Sequence, residues 1–414
     1  MACGSAPRSD RSPGAAVNLH AHTFFSYNAY GYSPTHLAWL ARRADWAVAG
    51  IVDFDVLDGL EEFHAAAKLL QLKACVGMET RVFVPEFADV VINSPGEPGI
   101  AYHMGIGFPT SRLDGELGEF ARGLRHRSEQ RNRELVARVN QYLSPVALDY
   151  DTEVLPLTPG GNATERHLCL AYVRKAQHVF PNATDLARYW AEKLGAEALD
   201  RPEGMGVQSA LRAKAMKQGG VGYVPPDSAA FPRLAEMNQF LLAAGGIPTL
   251  TWLDGTSEGE QRIEELLRVA RRSGVAAINL IPDRNYRPGV KDEKLANLYA
   301  VVALAERLQL PVLVGTEMNS PGQKLVDDFD SEELAPLVPV FLKGAYIVYA
   351  HSVLQRGRGM GYTSEWATQS FADMAARNEF FHTLGRELQP AQEDLLADLP
   401  EDVAPRQVLD GIAR

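Results

Sequence analysis

The sequence predicts an α/β fold, a barrel of βα units with a helical insertion, on three observations. In both halves of the chain short apolar runs alternate with helical patterns, the signature of βα units and a parallel sheet or barrel. Each early apolar run ends on a side chain of metal-ligand type. Between the halves, residues 110–230 carry helical spacing and few strand signals. The 414 residues, 46% of them hydrophobic, suffice for two domains or for one elaborated barrel of roughly 250 residues plus an insertion. The expected division is a disordered tail over 1–14, a first half-barrel over 15–109, the insertion or lid over 110–230, a second half-barrel over 231–350, and a helical extension over 351–414.

Taken in order, the first strand runs from Val17 into His20-Ala21-His22-Thr23. Residues i and i+2 of a strand share a face, so both imidazoles would meet one site at the strand's end. Ser33-Pro34 starts a helix, with Ser as N-cap and Pro at the first position, that runs to about Ala44. A second buried strand leads to Asp53, and the turn that follows holds Asp55 and Asp58; Asp58 is expected to cap the helix Gly59 to Leu72. A third strand from Ala74 carries Glu79 and Arg81, and a fourth from Ile100 carries His103. In a parallel barrel, chemistry collects at the C-terminal strand ends, so these side chains are expected to converge on one bowl. The insertion reads as helices, with Arg122 to Arg133 a solvated charged face. Beyond it come a helix over Ala229 to Ala244 and strands at Ile247 to Trp252, Val275 to Ile281 and Pro311 to Gly315, separated by helices. His351 reads as a packed histidine on a helix.

Composition narrows the function. A formal charge of -11 argues against a duplex-binding surface, which needs clustered Lys and Arg, although a local basic pocket is compatible with it. Three cysteines without C-x-x-C spacing fit a reducing compartment, so a cytoplasmic location is expected. No run is read as the about 18 apolar residues that a membrane span needs. The expected partner is a small-molecule substrate, with no nucleic acid and no membrane, and with homo-oligomerisation left open.

The order of these residues resembles the polymerase and histidinol phosphatase (PHP) domain family. His20-Ala-His22-Thr23-Phe-Phe-Ser26 matches its H-x-H-T-x-x-S, Asp53-Phe54-Asp55-Val-Leu-Asp58-Gly59 its D-H-D-x-x-D-G, Gly77-Met78-Glu79 its G-x-E, and His103 its fourth-strand histidine. Weaker echoes stand at Gly246-Ile247-Pro248 to Trp252 and at Gly315-Thr316-Glu317-Met318-Asn319. The resemblance implies a seven-stranded, distorted TIM-like barrel that binds divalent metals and hydrolyses phosphoesters.

The departures from the pattern shape the expected site. Phe54, Trp252 and Asn319 replace family histidines, and Glu317 stands for the usual Asp. By the family's roles His20, His22, Glu79 and Glu317 would complete one site, while Glu79 and His103 would begin a second, with Asp254 a replacement ligand for the histidine lost at Trp252. One or two divalent ions, Zn, Mn or Fe, are therefore expected. Asp53 and Asp55 are candidates for a water-orienting base or a partner of a ligating histidine. Arg81 and Arg284 are placed to fork onto a phosphate or carboxylate. Tyr27, in a Tyr-rich turn, and Asn319 and Lys324, in a polar loop at the rim, complete the expected substrate contacts. The expected activity is a metal-dependent phosphoesterase acting on a small phosphorylated metabolite. The alternatives are a metal-dependent isomerase, lyase or C-N hydrolase on a sugar acid or related small molecule, and a catalytically degenerate barrel that binds a metal or ligand.

Overall fold

The computed structural model describes residues 14–195, 204–225, 230–286, 292–400 and 403–413. Seven strands, β1 (Val17–Asn18), β2 (Val48–Phe54), β3 (Ala74–Phe83), β4 (Ile100–Ile106), β5 (Ile247–Trp252), β6 (Ala277–Leu280) and β7 (Val312–Val314), follow one another round one sheet in chain order. The sheet curls back on itself through the residues just past β1. Leu19 N–H donates to the Val314 carbonyl, Glu317 N–H to His20 and His22 N–H to Glu317, each at 2.8 Å. Gly315 permits this closure, since a Cβ there would lie 2.5 Å from the His20 nitrogen. The predicted TIM-like barrel with helical elements is the observed fold.

One strand runs against expectation. β4 pairs antiparallel with both β3 and β5, whereas every other pairing in the sheet is parallel. Parallel neighbours need a crossover, commonly a helix, and residues 84–99 between β3 and β4 hold only the short turn Pro85–Phe87. β4 therefore ends at the strand-start end of the barrel, and the chain must climb back up. The 28-residue helix Gly115–Tyr142, about 42 Å long, makes that climb. Its Leu124 belongs to the barrel core, while Leu135, Val136 and Val139 belong to a second core with the helices Glu165–Val179 and Ala183–Leu194. The insertion thus has an apolar centre of its own, and the first three turns of its long helix belong to the barrel. Beyond the insertion, Phe83 N–H donates to the Pro232 carbonyl at 2.9 Å, and the helix Leu234–Ala243 descends to β5.

Local chemistry explains the other elements. Ser33 caps the helix Pro34–Arg43, its hydroxyl accepting from His36 N–H at 3.2 Å. Asp58 does not cap the next helix, Leu60–Leu70, where Gly59 takes the cap position. Asp58 instead pairs with Arg125 at 3.4 Å, tying that turn to the insertion. Of the expected disordered tail, 1–13 lie outside the described residues, and Gly14 N–H donates to Asp45 at 3.0 Å.

The helix Val338–Arg358 closes the strand-start end of the barrel. Gly344 lies against the first residue of β7, Val312, so closely that a Cβ would overlap the Val312 carbonyl, and His351 lies beside Gly107. With the preceding turn this helix is long and apolar enough to cross a membrane, contrary to the sequence reading, but most of it is buried inside the molecule. The expected boundary between 350 and 351 falls inside it. Cys75 and Cys169 are buried and unpaired.

Candidate metal centre

The barrel mouth is built from the ends of β1, β2, β3 and β7. His20 and His22, in the extended segment past β1, turn both rings inward, with centroids 5.3 Å apart. Glu79 on β3 stands opposite Phe54 of β2 and Met104 of β4. Its Oε2 lies 3.2 Å from His22 Nε2 and 3.7 Å from His20 Nε2, and all three residues are buried. Two ligands each about 2.1 Å from a tetrahedral ion stand about 3.4 Å apart, so this spacing suits one divalent ion. Among the described residues, these three form the group able to hold a metal.

The proton arrangement fits the same use. Ser26 donates its hydroxyl proton to Asp53 Oδ1 at 2.7 Å, which leaves Ser26 Oγ to accept from His22 Nδ1 at 2.9 Å. The His22 proton is thereby fixed on Nδ1, and the Nε2 lone pair faces Glu79. Asp53 is itself held by the N–H and hydroxyl of Thr23, at 2.8 and 2.6 Å. Asn279 on β6 lies 3.0 Å from His20 Nδ1 and anchors that ring. Both Nε2 atoms are buried, and in the neutral rings neither lone pair meets a donor, an expensive arrangement against a carboxylate that a bound cation would relieve. Burial pushes the Glu79 carboxyl up, but the two imidazoles outweigh it and hold it down at about 2. Burial lowers His22, yet Glu79, with Asp53 and Glu317 behind it, raises that ring above its ordinary range. The site's own field favours positive charge.

Other expected site residues divide into those facing the chamber and those turned away. Glu317, at φ 62°, lines the chamber beside His22, but its Oε2 accepts from Arg284 Nη2 and Gln323 Nε2, both at 3.0 Å. Arg81, Arg284 and Asn319 also line it. Arg81 Nη1 donates to Glu97 at 2.8 Å. His103 is a correction. Its register partner is Thr80, one residue on from Glu79, so it faces the outer layer, where Nε2 lies 2.7 Å from Asn238 Oδ1. Tyr102, registered with Arg81 on the inward face, lines the chamber in its place. Trp252 is likewise registered with Leu280, on the face opposite Asn279, and is buried.

Asp254 does not replace the missing ligand: it accepts from Lys294 Nζ at 2.7 Å and from the Thr256 hydroxyl at 2.6 Å. Asp55 accepts from Thr80 Oγ1 at 2.6 Å and lines a neighbouring cavity, and burial raises its carboxyl to about 7. Tyr27 docks against the insertion, its hydroxyl donating to Gln208 at 3.2 Å and its ring edge-on to His167. Lys324 lies over the Tyr286 ring, outside the chamber lining.

The insertion supplies a wall that sequence reasoning missed. Arg131, Arg166, Arg212 and Lys217 join Arg81 and Arg284 around the chamber, six cations against the carboxylates of Glu79, Glu165 and Glu317. Arg131 and Ser128 come from the stretch read as a solvated face. Asn279 was also missed, although a single polar residue inside the apolar run Ala277-Ile-Asn-Leu280 is a usable signal.

No protein-family model matches the chain, and no curated protein matches it. Solved structures do. An amidohydrolase from Chromobacterium violaceum aligns with a TM-score of 0.53 at 17% identity, over 76% of this chain and 91% of that one. A protein from Bifidobacterium adolescentis described as a metal-dependent phosphoesterase aligns with a TM-score of 0.52 at 19% identity, over 80% and 98%. The likeness is one of fold. It places the chain's barrel beside those of two hydrolases, and its own residues carry the rest.

Proposed function

We propose that the chain is a metal-dependent hydrolase, a phosphoesterase of the PHP type acting on a small phosphorylated metabolite. The observation that carries the reading is the juxtaposition of a buried His20, His22 and Glu79 group with a chamber of six cations. The folds of an amidohydrolase and of a structure described as a metal-dependent phosphoesterase support the hydrolase part of the reading, and the cations of the chamber support the phosphoester part.

His20, His22 and Glu79 would hold one divalent ion, Zn, Mn or Fe, and three protein ligands leave a position open. When bound, such an ion supplies Lewis acidity and a water acidified enough to attack at neutral pH. Around it the protein positions the rest. Ser26 and Asp53 fix the His22 ring, and Asn279 fixes His20. Arg284 and Arg166, the latter donating to Ser320 at the rim, present guanidinium forks to phosphate oxygens. Tyr102 lines the same chamber, and burial raises its phenol, keeping it a neutral donor at physiological pH. The insertion walls one side of the chamber, which partly shields these charges from water and strengthens them. The same enclosure favours a small substrate over nucleic acid, and the buried, unpaired Cys75 and Cys169 accord with a cytoplasmic location.

The test is phosphate release from a panel of phosphomonoesters by the metal-loaded protein. Wild type should turn over at least one, and Glu79→Gln should reduce that rate to background. Turnover of sugar acids or C-N bonds with no phosphate released would select the isomerase, lyase or C-N hydrolase reading instead.

A further inference from the structure

The chamber holds more positive charge than one phosphate needs, and the excess is on the insertion side. Arg284, whose Nη2 also pairs with Glu317, stands on the metal side of the chamber, where it serves the phosphate being cleaved. Away from it, the Glu165 carboxylate is gripped by Arg212 Nε at 2.9 Å and Lys217 Nζ at 2.8 Å, with Arg81, itself paired with Glu97, close enough to act on it. Burial pushes the Glu165 carboxyl up, but Lys217, Arg212 and Arg81 overcome this and hold it at about 2, so it is ionised throughout the working range. Arg81, Arg131, Glu165 and Lys217 also border a smaller cavity behind the chamber, so these side chains stand between two spaces rather than in a packed core. The chain as a whole carries a formal charge of -11, which makes this cationic wall a local departure.

We infer that Arg212 and Lys217, backed by the charge of Arg81, form a second anion subsite in which Glu165 is the resident anion. The substrate is then a phosphoester carrying a second anionic group, a phosphate or a carboxylate, that displaces the Glu165 side chain. The substrate assignment rests on the hydrolase reading, whereas the subsite does not. Two cations that share one carboxylate can each turn to a group of higher charge, and charge-assisted forks favour a tetrahedral dianion over a single carboxylate.

The subsite is tested on full-length protein stripped of metal with a chelator, by titrating inorganic phosphate in a calorimeter. Glu165→Gln removes the competing anion and should tighten phosphate binding by about tenfold, and adding Arg212→Gln should abolish that gain. A structural ion pair would do the opposite: Glu165→Gln would leave phosphate affinity unchanged or weaker, and that result overturns the proposal. Should Glu165→Gln fail to fold, Lys217→Gln gives an independent reading, in which phosphate affinity must fall and an unchanged value overturns the proposal. A second arm compares, in metal-loaded protein, phosphomonoesters that differ only in a second phosphate or carboxylate. The second group should raise kcat/KM at least tenfold, and no gain overturns the substrate assignment. If no phosphomonoester is hydrolysed, the phosphoesterase reading fails, and the calorimetry still decides the subsite.

Discussion

His22 shows how much of the site is decided by side chains that would not bind the metal. Its ring is set by Ser26, and Ser26 by Asp53, a line of hydrogen bonds at 2.9 and 2.7 Å that leaves only Nε2 for a ligand. Ser26→Ala should therefore lower metal affinity by about 10–100-fold in a chelator-competition titration, with the fold intact by circular dichroism. An unchanged affinity would show that the relay does not orient the ring. His103 gives the contrasting expectation. His103→Gln should leave metal stoichiometry unchanged while lowering stability by about 1–3 kcal/mol in a denaturant melt, because the buried Asn238 loses its partner. The H-x-H pair was legible because strand alternation alone puts both rings on one face. His103 was misread because a ligand-type side chain on the fourth strand was expected at the mouth without a register to say which face it occupies, and Arg166, Arg212 and Lys217 were illegible because only the tertiary path of the insertion brings them to the mouth.

At the scale of elements, the helix Val338–Arg358 carries two tests. His351 is buried, with Nε2–H donating to the Gly245 carbonyl at 3.1 Å and Nδ1 accepting from Tyr362 N–H at 2.8 Å, so neither nitrogen can take a further proton without loss. Burial lowers this ring from 6.5 to about 4, against the weaker upward pull of the Gly245 and Gly107 backbone. A depressed folded pKa contributes stability that is present above 6.5 and is lost as pH falls from there through 4, about 3 kcal/mol for this ring. Denaturant melts at pH 7 and pH 4 should show His351→Gln losing correspondingly less stability than wild type; equal losses would refute the assignment. Gly344→Ala should cost about 2 kcal/mol or more, because the Val312 carbonyl occupies the space of the new methyl group. The helices were readable from caps and periodicity. The direction of β4 could have been read from the missing crossover helix between Phe83 and Ile100.

Across the whole molecule, the barrel places a negative group of ligand atoms at its mouth, and the insertion covers that mouth with positive charge. The overall charge of -11 repels an anionic substrate at long range, and the chamber attracts it at short range. Both fields are screened by salt, but the one inside the covered chamber less so. KM for an anionic substrate should thus rise only several-fold between low and high salt, and a steep rise would place binding on the exposed surface. The fold was legible because strands and helices alternate in both halves, broken only between β3 and β4. The chemistry of the lid was not, since Arg122 to Arg133 reads identically whether its helix faces water or a chamber. The central claim is one divalent ion on His20, His22 and Glu79. Elemental analysis of the purified protein measures it directly: one equivalent of Zn, Mn or Fe per chain in wild type and in His103→Gln, and none in His22→Ala. A metal-free wild type after incubation with each ion, or a content untouched by His22→Ala, would contradict it.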